Sequence, residues 1–216
     1  MSDLVRTKKE YLLKVLVIGE YSTGKTSIIQ RYVHAYFTER YKVTIGVDFA
    51  LKILELEDDL IVRIQLWDIA GQERHGQMTR VYYKDALGAF VVFDVTRQES
   101  FELVKKWKHD LDSKVFRPDG ENIAAVLLCN KCDKTSNRPY TVDSLNKFCK
   151  EHNFKAWFET SARTGDGIEP AATFLVTEII KFLSEQAINE HNERTDLISV
   201  AYERKPLVQP KKSCKC

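Results

Sequence analysis

The stretch Gly19-Glu20-Tyr21-Ser22-Thr23-Gly24-Lys25-Thr26 decides the fold of this chain. It fits the pattern G-x-x-x-x-G-K-[ST], in which backbone amides surround phosphate groups, the lysine contacts the outer phosphates and the hydroxyl ligates Mg²⁺. An apolar run from Leu13 to Ile18 comes before it and predicts a buried strand, and apolar residues at helical spacing follow it. A chance glycine turn would lack this strand and helix context. The stretch therefore predicts a binding site for a nucleoside triphosphate.

Length and charge limit the classes of protein to which the chain can belong. Its 216 residues and 44% hydrophobic content fit one globular domain followed by a tail. The net charge is +2, and from Arg204 onward five cations stand without an acid, so the rest of the chain is slightly acidic. A local basic tail without a basic stripe on the body favours a membrane surface as partner and argues against nucleic acid. The chain has no apolar run of about 18 residues and no signal-peptide core, so we expect a cytosolic protein.

The five cysteines argue for reduced thiols in the cytosol rather than for a disulfide framework. Cys129 and Cys132 form a C-x-x-C pair, but no second pair or histidine stands at ligand spacing, so a redox or zinc role is the lesser alternative. Cys149 is expected to pack in the core. We assign no catalytic role to the five histidines, because they are scattered along the sequence at no ligand spacing.

Strand and helix patterns alternate from Leu13 onward, which is typical of an α/β fold. Residues 47–53 and 60–66 predict an antiparallel hairpin at one edge, and later apolar runs predict buried parallel strands. We therefore expect a six-stranded mixed, mostly parallel sheet with helices on both faces. The expected organisation is an N-terminal extension over 1–12, a globular domain over 13–185 and a disordered tail over 186–216.

Three further segments stand at predicted strand ends, where an open α/β sheet binds ligands. Residues 67–73 include Asp68, an acid suited to the shell of Mg²⁺. Residues 130–133 end in Asp133, whose carboxylate can accept hydrogen bonds from the N1–H and 2-amino groups of guanine but would leave adenine unmatched. Residues 159–162 follow the last predicted strand. The base that is recognised should be guanine.

With these motifs in place, the chain resembles the Ras-like small GTPases, and among them the Rab family, from Leu13 to about Leu183 and again at its C-terminus. The similar segments are Ile45–Phe49, Trp67–Glu73, Tyr82–Ala86 and Cys214-Lys215-Cys216. The resemblance implies a P-loop small G domain. Residues 49–52, 68–70 and 78–81 are similar to the Rab subgroup that serves lysosome-related organelles and late endosomes.

The resemblance implies a role for each matching residue of the nucleotide site. The phosphates would be bound by Gly19, Tyr21, Ser22, Thr23, Gly24, Lys25, Thr26, Ser27 and the backbone N–H of Gly71. The base and its surroundings would be contacted by Phe37, Asn130, Lys131, Asp133, Ser161, Ala162 and Arg163. Mg²⁺ would be held by Thr26, by Thr44 of the first switch loop and, through water, by Asp68. Gln72 would orient the attacking water, with Lys25 and Gly71 stabilising charge in an in-line displacement.

The resemblance also implies partners. GTP-dependent effectors would read a surface formed by Ile45, Phe49, Trp67 and Tyr82, although the strand pattern leaves core packing of Phe49 as an equal alternative. A guanine nucleotide exchange factor would load GTP, and a GTPase-activating protein would supply an arginine. A Rab escort protein and a GDP dissociation inhibitor would handle prenyl groups on Cys214 and Cys216, for which metal binding or a disulfide is the lesser alternative. The protein would then lie on the cytoplasmic face of late endosomes, lysosome-related organelles or phagosomes, with a cytosolic pool.

Two departures from the family pattern are visible. Tyr21 and Ser22 replace glycine or small residues, and a tyrosine there projects toward the γ-phosphate and the space that an activating arginine must enter. His75 replaces a phenylalanine that partners contact in most Rabs. The first departure leaves a hydrolysis-dead nucleotide-binding scaffold as the rival interpretation. A P-loop kinase for a small metabolite is a weaker rival, because residues 130–133 would then have no role.

Overall fold

The computed structural model describes residues 9–40, 42–57, 60–72, 79–134 and 140–203. The strands are β1 (Lys9–Gly19), β2 (Val47–Glu57), β3 (Leu60–Ile69), β4 (Gly88–Asp94), β5 (Ala124–Asn130) and β6 (Ala156–Thr160). The helices are α1 (Lys25–His34), α2 (Thr79–Tyr83), α3 (Gln98–Glu102), α4 (Val104–Asp112), α5 (Val142–Glu151) and α6 (Ile168–Glu203), with a 3-10 turn at Cys132–Lys134.

The strands form one sheet in the order β2-β3-β1-β4-β5-β6. β2 runs antiparallel to β3, and every other pairing is parallel. This confirms the predicted mixed, mostly parallel sheet with its antiparallel hairpin at one edge. Because β1 lies between β3 and β4, the loop that follows β1 has the ends of both neighbours beside it.

The core is densest around the middle of the sheet. Every residue of β4 and of β5 is buried, as expected for parallel strands with both faces covered. Trp107 of α4 is fully buried, and Cys129 and Cys149 lie in the same hydrophobic cluster. The first turns of α6 bury a regular apolar stripe, formed by Ile168, Ala171, Ala172, Leu175, Val176 and Ile179. This packing holds the strand ends in fixed positions, which a binding site built on them requires.

The edge strand β2 reverses the alternation that its sequence suggests. Phe49, Leu51 and Ile53 are each about half exposed. Lys52 lies on the other face, where its Nζ donates to the carbonyl oxygen of Tyr32 in α1 at 3.1 Å. The core-packing alternative for Phe49 is therefore wrong, because its side chain is 51% exposed and its ring lies edge to face against that of Trp67.

Regular secondary structure continues past both predicted limits of the globular domain. β1 begins at Lys9, so residues 9–12 belong to the sheet and not to an N-terminal extension. Residues 186–203 are helical rather than a disordered linker, since α6 continues to Glu203. The C-terminal part of α6 lacks the apolar stripe and so has no regular face for packing, but its residues still favour a helix. No glycine or proline interrupts α6 after its first turn.

The chain separates into two units, residues 1–179 and 180–216, so the domain limits 13–185 stay a prediction. The second unit contains the remainder of α6, and Cys214 and Cys216 lie outside the described residues. None of the described helices has both the length and the apolar character needed to cross a membrane.

Candidate nucleotide-binding site

At two positions, the loop between β1 and α1 adopts a backbone conformation that favours glycine. Gly19 and Gly24 adopt φ values of 142° and 95°. A Cβ on Gly19 would lie 2.2 Å from the carbonyl oxygen of Val92, and one on Gly24 would lie 2.3 Å from Nδ2 of Asn130. Both glycines are therefore required by close approach of neighbouring segments as well as by conformation. The result is a tight loop that opens directly into the N-terminus of α1.

Lys25 lies across this loop rather than in solvent. Its side chain is buried, and its Nζ donates to the carbonyl oxygens of Gly19 at 2.9 Å and Glu20 at 3.0 Å. Burial lowers the pKa of Lys25 to about 8, and the nearby Asp68 and Glu20 oppose this shift. A phosphate anion bound at the loop would favour the charged form, so the arrangement suits an anionic ligand.

The three predicted metal-binding residues come together beside the lysine. The hydroxyl oxygens of Thr26 and Thr44 are 2.9 Å apart, and both hydroxyls contact Oδ2 of Asp68, at 3.2 Å from Thr44. Asp68 is buried, its Oδ1 has no hydrogen-bond partner among the described residues, and burial raises the pKa of its carboxyl group. Two hydroxyls and a buried carboxylate are hard oxygen donors. They fit Mg²⁺, whose charge would offset the cost of burying Asp68.

Gly71 and Gln72 follow β3 and reach the loop from that side. A Cβ on Gly71 would lie 2.3 Å from the backbone nitrogen of Tyr21, so only glycine permits this approach. The amide of Ala70 donates to the carbonyl oxygen of Gly46 at 2.9 Å, which links this segment to the one that carries Thr44. Gln72 is exposed, and residues 73–78, with His75, lie outside the described residues.

The predicted base-binding residues converge on the other side of the loop. The buried Asn130 donates from Nδ2 to the carbonyl oxygen of Thr23 at 2.8 Å, and its Oδ1 accepts from the amide of Ala162 at 3.3 Å. Lys131 donates to the carbonyl oxygen of Ser22 at 2.8 Å. The hydroxyl of Ser161 donates to Oδ1 of Asp133 at 2.7 Å. These contacts join three segments that are distant in sequence into one surface.

The remaining predicted contacts are placed less specifically. Ser27 lies half-buried in the first turn of α1, and Phe37 is half-buried in the segment after that helix. Arg163 is exposed, and its Nη2 lies 3.6 Å from Oε1 of Glu39. This ion pair connects the predicted base loop with the segment that leads to Thr44.

Sequence reasoning missed Asp94, at the end of β4. Its Oδ2 accepts a hydrogen bond from Lys131 at 2.6 Å, and its Oδ1 accepts two from Thr96. Burial alone would raise the pKa of Asp94, but the hydrogen bonds from Lys131 and Thr96 outweigh it and hold the pKa below its ordinary value. An ionised Asp94 therefore fixes the lysine in place. The position of Asp94 at the end of an apolar strand was the feature of the sequence that could have identified it as a site residue.

Arg31 of α1 was also missed. It donates from Nε to the carbonyl oxygen of Ala162 at 2.9 Å and from Nη2 to that of Arg163 at 2.5 Å, while Nη1 reaches Ala35 at 3.1 Å. The phosphate-side helix thus supports the predicted base loop directly. A charged residue on a helix is usually solvated, so the sequence carried no signal for this role.

The predicted effector residues differ in exposure: Ile45 and Phe49 are exposed, whereas Trp67 and Tyr82 are half-buried. Ile45 is 91% exposed. The rings of Phe49 and Trp67 meet edge to face with centroids 4.4 Å apart, and Nζ of Lys14 lies 3.5 Å from the centre of the Trp67 ring. Tyr82 is half-buried against the core. Exposed aromatic groups held by neighbours are typical anchors of protein interfaces.

Comparison with known proteins agrees with this site. Residues 14–181 match the protein-family model described as the Ras family. The chain is 53% identical over 208 residues to the Ras-related protein Rab-32 of Homo sapiens, which covers 96% of the chain and 91% of that protein. It is 56% identical over 174 residues to Rab-32A of Dictyostelium discoideum, covering 80% of each. It is 45% identical over 183 residues to Rab-7L1 of Homo sapiens, covering 84% of the chain and 89% of that relative.

Proposed function

The chain belongs to the Ras family as a Rab-type small GTPase, a switch in membrane trafficking that hydrolyses GTP, and we propose that it controls a late endosomal or lysosome-related compartment by recruiting effectors. One observation carries the switch mechanism. Thr44, on the segment before β2, meets Thr26 of the phosphate loop and Asp68 of β3 at a single point. A ligand bound there would stabilise the position of this segment, in which Lys42, Val43 and Ile45 are exposed.

The geometry supports guanine nucleotide with Mg²⁺ as the ligand. Thr26, Thr44 and Asp68 would hold the metal, which supplies charge neutralisation for the β- and γ-phosphates. Lys25 would contact the same phosphates, and Asp133 would pair with the guanine edge. The N–H of Gly71 would donate to the γ-phosphate, and the exposed Gln72 would orient the attacking water.

Loss of the γ-phosphate would then release both switch segments. Thr44 would lose the metal contact that depends on the γ-phosphate, and the N–H of Gly71 would lose its hydrogen bond to that phosphate. Because the amide of Ala70 is bonded to the carbonyl of Gly46, the two segments would respond together. The surface of Ile45, Phe49, Trp67 and Tyr82 borders both segments, so effectors that bind it would distinguish GTP from GDP.

The proposed cycle requires partners of stated kinds. An exchange factor would open the site, an activating protein would supply an arginine near Gln72, and a Rab escort protein and GDP dissociation inhibitor would carry the lipidated tail. Prenyl groups on Cys214 and Cys216, with the basic residues around them, would anchor the protein, since two lipid chains give stable membrane binding.

Hydrogen exchange of the described segment 42–46 tests the switch. Protection should rise when the protein is loaded with Mg²⁺ and a non-hydrolysable GTP analogue, and should stay low with GDP. Thr44→Ala should abolish the difference, because it removes the hydroxyl that meets Thr26 and Asp68. Thr38→Ala is the matched control, since among the described residues the Thr38 hydroxyl accepts a local bond from the amide of Arg40 and does not contact Thr26 or Asp68. Equal protection in both nucleotide states would contradict the proposal.

A further inference from the structure

The aromatic ring of Tyr21 lies against the guanidinium of Arg97. Cζ of Arg97 is 4.8 Å from the centre of the ring, and its Nη1 donates to the carbonyl oxygen of Tyr21 at 3.0 Å. Tyr21 is 51% exposed. Its ring thus has a specific partner in the turn between β4 and α3, and does not project freely over the loop as the sequence suggested.

The strand order shows on which side of the phosphate loop Arg97 lies. β3 and β4 flank β1 on opposite sides, and the phosphate loop follows β1. Gly71 and Gln72 follow β3, and the backbone of Gly71 abuts that of Tyr21. Arg97 follows β4. The ring is therefore drawn toward the β4 side, while the residue expected to orient the attacking water stands on the β3 side.

We propose that Arg97 is a positioning residue for GTP hydrolysis, which holds the Tyr21 ring on the β4 side and keeps the space beside the γ-phosphate open to water and to an incoming arginine. The inference rests on the proposed function of the loop as a triphosphate site. Staggered rotamers other than the one held by Arg97 are open to an exposed tyrosine. Those that point toward Gln72 would place the ring where water must attack.

Arg97 is one of three side chains that donate hydrogen bonds to successive carbonyl oxygens of the loop. The carbonyl oxygens of Tyr21, Ser22 and Thr23 accept hydrogen bonds from Arg97, Lys131 and Asn130 respectively. Because these carbonyl oxygens are engaged on the outside, the loop amides are available to phosphate. Lys131 and Asn130 belong to the predicted base site, whereas the guanidinium of Arg97 contacts Tyr21.

The proposal predicts a small and specific effect. An exposed cation–π contact shifts a rotamer equilibrium by about two- to fivefold. Arg97→Ala should therefore lower the single-turnover rate of GTP hydrolysis, without an activating protein, by up to about fivefold. The same change should lower the affinity for GTP relative to GDP, because the released ring competes with the γ-phosphate. Arg97→Lys, which retains a cation, should keep most of both properties.

A double-mutant cycle with Tyr21→Ser separates positioning from general damage to the loop. Without the ring, the Arg97→Ala change should lose most of its effect on the hydrolysis rate and on the GTP-to-GDP affinity ratio, because it then removes only the hydrogen bond to the backbone carbonyl oxygen of residue 21. Arg117→Ala is the matched control, because Arg117 pairs with Asp119 before the amino end of β5, and the phosphate loop lies at the carboxyl ends of these parallel strands.

Three results would overturn the proposal: an unchanged rate and ratio in Arg97→Ala, an equal loss of GDP and GTP affinity, or the same loss in the Tyr21→Ser background. Failure of the unmodified protein to bind or hydrolyse GTP would instead refute the proposed function of the site. The two failures are thus distinguishable.

Discussion

Arg31 should control how long a guanine nucleotide stays bound. The change Arg31→Ala removes three hydrogen bonds, of which two, to the carbonyl oxygens of Ala162 and Arg163, hold the base loop. A typical intramolecular hydrogen bond contributes about 0.5–1.5 kcal/mol, so the closed base loop should lose roughly 1–3 kcal/mol. The half-buried position of Arg31 places the effect in the lower part of that range.

This loss should appear mainly as faster dissociation. The base loop keeps a second support, since Oδ1 of Asn130 accepts from the amide of Ala162. About 1.4 kcal/mol corresponds to a tenfold change, so we expect dissociation to accelerate by roughly tenfold. GDP and GTP should be affected equally, because the missing contacts lie on the base side and not near the γ-phosphate.

Stopped-flow release of fluorescent GDP and GTP analogues measures the prediction directly. Arg31→Lys should recover part of the wild-type rate, because one ammonium group cannot reproduce the fork of two parallel donors. Arg117→Ala should release nucleotide at the wild-type rate. An unchanged rate in Arg31→Ala, or an effect confined to GTP, would refute the reasoning that the base loop depends on α1.

Three further outcomes can be checked on the same protein. Asp133→Asn should weaken GTP binding by about tenfold or more and favour xanthosine triphosphate, whereas Asp119→Asn should leave both unchanged in parallel titrations. Gln72→Leu should slow single-turnover hydrolysis by about tenfold or more while GTP affinity is kept, because the water loses its orienting amide; equal rates would remove Gln72 from the catalytic site. Serine at both Cys214 and Cys216 should preserve GTP binding and move the protein from membranes to cytosol in cell fractionation, and persistent membrane attachment would contradict the lipid anchor.

The parts of the site that could be predicted from the sequence share one property: their functional residues lie within short motifs at strand ends. The phosphate loop carries its glycines, Lys25 and Thr26 within eight residues. Asp68, Asn130 and Asp133 stand at or just after the ends of segments that could be recognised as strands. Since the strand ends of a parallel sheet meet at one edge, the sequence was sufficient to expect that they converge.

What could not be predicted depends on contacts between segments distant in sequence. Arg31 and its partner Ala162 are separated by 131 positions, and Arg97 and Tyr21 by 76. The orientation of Phe49 depends on which face of β2 packs against α1. The alternation of apolar and other residues in β2 does not indicate which of its two faces is covered. The continuation of α6 was missed for a different reason, because helix propensity persists where the apolar stripe ends.

The contacts between the base and phosphate sides suggest that nucleotide binding is cooperative along the site. Asn130 binds the carbonyl of Thr23 with one atom of its amide and the amide of Ala162 with the other, so it connects both sides through one rigid group. Arg31 makes an independent connection from α1, which begins at the phosphate loop. A ligand that orders either side therefore lowers the conformational cost of ordering the other. An exchange factor that displaces only the phosphate loop would, by the same connections, also weaken binding of the base.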